Sequence, residues 1–220
     1  MDRIIKMWVR YSDVFLSGLW CTIWLSVLTV IIGTLLGMLI AVMRMGKSKV
    51  LRLIANAYVE ILRGIPALLQ LYFFWLLLPK AFPALNLSNT QCIMVALVVG
   101  ASAYISEIIR AGIGAVDRGQ WEAARSLGLS EVHCMTRVIL PQAVKNILPA
   151  LCNEFISTIK GTSLASTFFV GELMTSYKTV QSATFLALQS LTIVGLIYFI
   201  LCFTLSKLLS LLERRLKVSD

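Results

Sequence analysis

The sequence predicts an all-α membrane protein, a polytopic helical bundle of about five transmembrane helices, and three observations carry that expectation. First, 58% of the 220 residues are hydrophobic and only 14% are charged, against roughly 25% charged in an ordinary soluble domain. Mean hydropathy is +0.84. Second, charge-free runs reach or exceed the roughly 20 apolar residues that carry a helix across a bilayer. Third, lysine and arginine gather in alternate loops, the bias expected of cytoplasmic segments.

Residues 14–43 contain no charged side chain and predict span one, with Gly33 and Gly37 spaced as a small-xxx-small pair that lets a neighbouring helix approach closely. The preceding residues 1–13 are mixed in charge, and an apolar run of about thirty residues far exceeds the core of a signal peptide, so span one is expected to stay in the mature chain. Span two is expected over 53–79. Arg63, Gly64 and Pro66 interrupt it, and because proline lacks a backbone donor and disfavours helix at the residue before it, a bend is expected at Ile65. Span three covers 88–112, charge-free through Ser106 and then amphipathic through Glu107 and Arg110.

Span four, 138–177, is cut by Pro141, Lys145, Pro149, Glu154, Lys160 and Gly161. It is expected to be a broken membrane helix or a segment buried inside the bundle. Span five runs over 179–208. No linker divides the chain, so 1–220 is expected to be one transmembrane domain with a single sizeable hydrophilic loop over 111–138.

Thirteen basic residues fall on one side: Arg44, Lys47, Lys49, Arg52, Arg110, Arg118, Arg125, Arg137, Lys145, Lys207, Arg214, Arg215 and Lys217. Five fall on the other, namely Arg3, Lys6, Arg10, Lys80 and Lys178. The positive-inside rule then puts the N-terminus outside and the C-terminus and the 111–138 loop in the cytoplasm. This asymmetry also accounts for the net charge of +9, which is dispersed between spans and carries no interleaved aromatic platform for nucleic acid. The cysteines Cys21, Cys92, Cys134, Cys152 and Cys202 show no ligand-type spacing, and His133 beside Cys134 reads as an ordinary loop position, so neither disulfide nor metal site is expected. No Walker A pattern occurs, which leaves the chain without that means of holding ATP phosphates.

Within the loop, Gly119 to Gly128 reads as a short helix ended by glycine. Trp121, Ala124 and Leu127 recur at three-residue spacing and share a face. With the main core embedded in lipid, that apolar knob is expected to meet a partner protein. Glu122 favours the positive end of the helix dipole, and Ala123 and Ala124 permit close approach of a partner's backbone.

Glu122-Ala123-Ala124, three residues, Gly128, nine residues, then Val138-Ile139-Leu140-Pro141 resembles the EAA loop of ABC importer permeases, E-A-A-x3-G-x9-I-x-L-P, with Val138 in the isoleucine place. Arg63-Gly64-Ile65-Pro66, Leu140-Pro141-Gln142-Ala143, Asn153-Glu154-Phe155-Ile156-Ser157 and Thr162-Ser163-Leu164-Ala165 further resemble the polar amino acid subfamily, the histidine and glutamine permease type. The resemblance spans about residues 14–212. It implies a type I importer fold in a bacterial cytoplasmic (inner) membrane, and a role as translocation subunit rather than enzyme. Two permease subunits, identical or paralogous, would form the pore. Two ATPase subunits would carry ATP and Mg, leaving this chain without a cofactor, and an extracytoplasmic amino-acid-binding protein would deliver the ligand. Gly119, Trp121, Glu122, Ala123, Ala124, Leu127 and Gly128 would then form the ATPase-coupling element.

For substrate, attention falls on span four, because ionisable groups at membrane depth usually face a cavity. At about 100° per residue, Asn153, Ser157 and Lys160 fall in one stripe with Glu154 at its border, opposite Leu151, Cys152, Phe155, Ile156 and Ile159. Lys160 and Asn153 would serve a carboxylate, and Glu154 an ammonium. Gly161 stands where the subfamily commonly shows aspartate. Glu60 and Arg63, three apart, are expected to form a helical ion pair. An intramembrane enzyme would need a nucleophile and base in register, and neither G-x-S-x-G nor H-E-x-x-H occurs. An ATP-independent channel or secondary transporter would show inverted repeats and have no use for an ATPase-docking loop.

Overall fold

The computed structural model describes residues 2–217. The side chains of Arg214, Arg215 and Lys217, counted above toward the cytoplasmic tail, lie outside the described residues. In chain order the helices are α1 (Asp2–Met45), α2 (Lys49–Gly64), α3 (Ala67–Ala81), α4 (Asn89–Gly114), α5 (Arg118–Ser126), α6 (Glu131–Cys134), α7 (Leu140–Gly161), α8 (Leu173–Thr184) and α9 (Ala187–Lys217). A π-helical turn, Met135–Ile139, joins α6 to α7 without a break. Among the described residues α1, α4 and α9 are each long and apolar enough to cross a membrane, and α2 with α3 passes the same test as one bent pair.

The bundle is built around α1 against α4. Gly33 and Gly37 lie at this contact: a Cβ on Gly33 would stand 3.3 Å from that of Ala101, and one on Gly37 would stand 3.0 Å from the Ser102 carbonyl and from Ile105. The predicted close approach is therefore made, and small residues on both helices allow it. The outer faces of α1 and α9 carry exposed Leu35, Leu39, Phe199 and Ile200, as bilayer contact requires.

The bend expected at Ile65 is a sharp break, 112° between α2 and α3. Ile65 is extended (φ −101°, ψ 135°), the conformation that the following proline imposes. Pro66 has no N–H for the carbonyl of Leu62 four residues earlier. The Gln70 side chain supplies one instead, donating from Nε2 to Leu62 O at 2.6 Å and to Ile65 O at 2.8 Å. A single amide thus satisfies two carbonyls bared by the break.

Over the segment expected as the fourth span, the chain forms α7, a 3-10 stretch and the start of α8. At 1.5 Å per residue, α7 is roughly 33 Å long, but its polar residues keep it out of the apolar class of α1, α4 and α9. It packs between α4 and α9. After Gly161 the chain tightens into a 3-10 segment, Thr162–Phe168, and turns at Phe169, which is left-handed (φ 57°). The predicted start of span five is corrected: residues 179–184 belong to α8, and α9 begins at Ala187. The stop is made by Phe185, also left-handed (φ 57°), and neither proline nor glycine announces it.

α8 is pinned to α1 and α9. Buried Glu172 caps it, accepting from the amides of Met174 at 2.8 Å and Thr175 at 2.7 Å. The Tyr198 hydroxyl donates to the same carboxylate at 3.1 Å. On α1, Thr22 Oγ1 accepts from Leu173 N at 3.1 Å, and the Val14 carbonyl accepts from Ser176 Oγ at 2.8 Å.

Two outcomes follow. Gly37→Val is expected to cost about 1–3 kcal/mol by overpacking, read as a lower melting temperature in detergent, whereas Gly64→Ala, with nothing within 4 Å of its Cβ, is expected to leave melting unchanged. Gln70→Leu strands two carbonyls and is expected to cost about 1–3 kcal/mol or more, seen as faster proteolysis at the break between α2 and α3.

Candidate coupling helix and inter-helix pocket

The loop helix α5 is fixed at both ends by its own sequence. Asp117 caps its start, Oδ1 accepting from Gly119 N at 2.6 Å. A Cβ at 119 would stand 2.8 Å from that oxygen, so glycine leaves room for the cap. At the other end Gly128 takes φ +81°, a conformation that costs other residues roughly 1–2 kcal/mol. Gly128 N donates to Arg125 O at 3.0 Å and Leu129 N to Ala124 O at 3.2 Å, the paired bonds of a Schellman turn. The expected glycine stop is present.

The orientation of the helix corrects the expected partner-facing stripe. Ala124 is 4% exposed and packs with Cys134 and Ile139, and Trp121, Ile113, Val116 and Leu129 close over this cluster. Trp121 and Ala124 therefore face inward, because the end of α4 and the α6–α7 junction supply a small core outside the main bundle. Leu127 departs from them and is 84% exposed. The outward face consists of Gly119, Glu122, Ala123 and Ser126, all exposed. Glu122 is the fifth helical residue, past the first turn, so the dipole role expected of it falls to Asp117.

Further ties hold the loop in place. Arg125 donates to Leu129 O at 2.6 Å, and Gln142 of α7 donates to Gln120 Oε1 at 3.3 Å. Lys47, after α1, pairs with Glu131 at 2.9 Å. That ammonium holds the Glu131 carboxyl below its ordinary range.

A pocket of about 320 Å³ opens between α1, α3, α4 and α7. Its polar lining includes Glu154, Ser157 and Thr158 of α7, Tyr104 of α4, Gln70 of α3 and Thr29 of α1; Gly161 forms an open stretch of wall, whereas a Cβ on Gly100 would stand 3.2 Å from Gln70 Oε1. Thr29 is fully buried and its hydroxyl has no hydrogen-bond partner among the described residues. Of the four residues expected to share a substrate site, only Glu154 and Ser157 meet here. Lys160 lies on a separate cavity of about 290 Å³ with Ser163, Met174, Gly195 and Tyr198, and Asn153 is exposed and lines neither. The apolar side of α7 behaves as expected, with Cys152, Phe155 and Ile156 against Leu205, Leu208 and Leu209 of α9.

The expected Glu60–Arg63 pair is also corrected. Arg63 Nη1 lies 3.8 Å from Glu107 Oε2 instead, and its guanidinium sits 5.6 Å from the Tyr104 ring centroid. Glu107 gathers Arg44 at 2.8 Å and Arg110, which binds both its oxygens. Arg44 also donates to Asn56 Oδ1 at 2.8 Å. Gln70, Thr29, Tyr104 and Thr158 are the polar lining residues that sequence reasoning missed. The signal for Gln70 was present: it is the one amide in the apolar run 67–79.

The chain is 39% identical over 206 residues to the L-cystine transport system permease protein TcyB of Bacillus subtilis (strain 168), covering 91% of this chain and 85% of that one. It is 37% identical over 205 residues to the arginine transport system permease protein ArtQ of the same organism, covering 93% of each. The putative glutamine transport system permease protein GlnP of Rickettsia conorii is 36% identical over 218 residues, 99% of each chain. A crystal structure of an amino acid ABC transporter with histidines is similar at a TM-score of 0.88 and 43% identity, covering 94% of this chain and 96% of that one. The inward-facing MetNI methionine ABC transporter, 20% identical at a TM-score of 0.67, shares the fold. Residues 33–218 match one family throughout; the chain belongs to the family of inner membrane components of binding-protein-dependent transport systems.

Proposed function

We propose that this chain forms half of the translocation pathway of a polar amino acid importer and takes its driving force through α5 from a separate pair of ATPase subunits. It is a permease subunit of the amino acid ABC importer type, as its relatives for cystine, arginine and glutamine are. The observation that carries the coupling role is the mounting of α5. Its inner face is packed on the end of α4 and the α6–α7 junction, while Gly119, Glu122, Ala123 and Leu127 point outward and Glu122 makes no hydrogen bond or ion pair among the described residues. A helix fixed on one side and bare on the other is suited to carry a push from a docked protein into both spans. Ala123 lets a partner's backbone come close.

In this reading the basic loops put α5 and the C-terminus in the cytoplasm and the N-terminus outside. The second permease, identical or paralogous, completes the pore, and an external binding protein loads it. ATP and Mg are held by the ATPases, whose closure draws the two α5 helices together and turns the pathway from inward to outward access. Glu154 supplies an acceptor for the substrate's ammonium, and the unpartnered Thr29 hydroxyl supplies a further polar contact.

Two experiments test the reading. Gly128→Asp puts a side chain where φ is +81°, misdirects α5, and is expected to abolish co-purification of the ATPase and uptake while the permease still inserts; retained co-purification with normal uptake would refute the coupling role. Glu154→Gln is expected to reduce uptake by about 10-fold or more, the worth of one charge-assisted hydrogen bond, with ATPase binding intact. Unchanged uptake across a panel of cationic, anionic, amide and sulfur-containing amino acids would remove Glu154 from the site.

A further inference from the structure

The 320 Å³ pocket contains a carboxylate but no cation in its wall. A zwitterionic amino acid needs both. Lys160, the cation that the sequence suggested, opens onto the other cavity beside α8 and α9. The search for a counter-charge therefore moves to the neighbouring arginines.

Helix direction fixes which end of the pocket matters. α4 and α7 run antiparallel, with Gly112 of α4 packed directly on Ile147 of α7. Tyr104 is the last residue that α4 gives to the pocket and Glu154 is the first that α7 gives, so the two stand at the same end. Tyr104 carries the Arg63 guanidinium 5.6 Å from its ring centroid. Tyr104 and Glu154 thus mark one end of the pocket, and Arg63 sits over the Tyr104 ring without itself lining the pocket.

Arg63 is also the arginine left free to act. Arg44 and Arg110 together occupy both oxygens of Glu107 within hydrogen-bonding distance. Arg63 remains at 3.8 Å, makes no hydrogen bond among the described residues, and keeps its side chain 43% exposed. One carboxylate, that of Glu107, is thus shared by three guanidiniums. An anion is favoured there, and a guanidinium presents a planar fork matched to a carboxylate. The backbone break at Ile65–Pro66, braced by Gln70, ends α2 just beyond Arg63 and holds it at this edge.

The geometry points to Arg63 as the residue that binds the α-carboxylate of a transported amino acid while Glu154 holds its ammonium, so that the pocket selects the zwitterionic backbone through a charge pair contributed by α2 and α7. This rests on the reading of the pocket as the substrate site. It assigns Lys160 no part in holding that backbone.

The test is equilibrium binding to the detergent-purified permease–ATPase complex, with radiolabelled L-glutamine, L-arginine and L-cystine and the α-carboxamide of each. Arg63→Gln is expected to weaken binding of the free acids by about 10- to 100-fold, the range of a hydrogen bond to a charged group, with α-carboxamide binding unchanged. Arg63→Lys is expected to restore part of the loss, since the charge remains and the fork does not. Equal loss for acids and carboxamides would mean a structural role only, and no loss for either would also overturn the assignment. If wild type binds the acids and Glu154→Gln weakens them while Arg63→Gln does not, the pocket reading stands and Arg63 falls. If the wild-type complex binds none of the probes, the pocket reading fails and takes this assignment with it.

Discussion

The account depends on one small patch of packing outside the main bundle: Ala124 and Trp121 of α5 set against Cys134, Ile139 and the end of α4. A nine-residue helix in water is far too short to hold itself together. α5 is held instead by capping of its ends at Asp117 and the Gly128 turn and by burial of its inner face, which suits it to the proposed coupling role. The cluster takes residues from the end of α4 and from the α6–α7 junction, so the proposed coupling would reach α4 and α7 together. The Lys47–Glu131 pair adds a tie to the loop after α1, although an exposed pair contributes little by itself.

Within the membrane, close backbone approach and backbone rupture are put to different uses. Gly33 and Gly37 bring α1 and α4 into contact and form a stiff central element. Around it the other elements are broken: α2 from α3 at Pro66, and α7 from α8 beyond Gly161. Each break is satisfied locally, by the Gln70 amide in one case and by the Glu172 cap in the other. Irregular backbone at membrane depth is tolerated where protein buries it or where it lines a cavity. The pocket lies between these two breaks, with Gln70 and Gly161 both in its wall.

Much of this was legible in the sequence, and the failures are instructive. Composition and charge-free runs reveal membrane helices because the bilayer imposes length and apolarity directly. Pro66 announced its break, and the glycine ending the loop helix announced a left-handed turn, because each residue type has few alternatives there. Periodicity placed Trp121 and Ala124 on one face but could not say which way that face points, since the core they meet includes residues as far along the chain as Ile139. Angular arithmetic grouped Lys160 with Glu154 and Ser157, yet at the last turn of α7 the neighbouring helices decide which cavity a long side chain enters. Sequence proximity favoured Glu60 for Arg63, and the bundle brought Glu107 instead. The start of α9 was hidden because a phenylalanine, not glycine or proline, turns the chain at 185.

In this view the chain is a lever and a pathway, with chemical work done elsewhere. The most direct test is side-specific labelling of a single cysteine at Ser157, with the five natural cysteines replaced, by a membrane-impermeant thiol reagent in the intact importer. The account predicts reaction from the cytoplasmic side without nucleotide and from the opposite side when ATP closes the ATPases. Labelling from one side in both states, or reversal that persists after α5 is uncoupled from the ATPase, would contradict it.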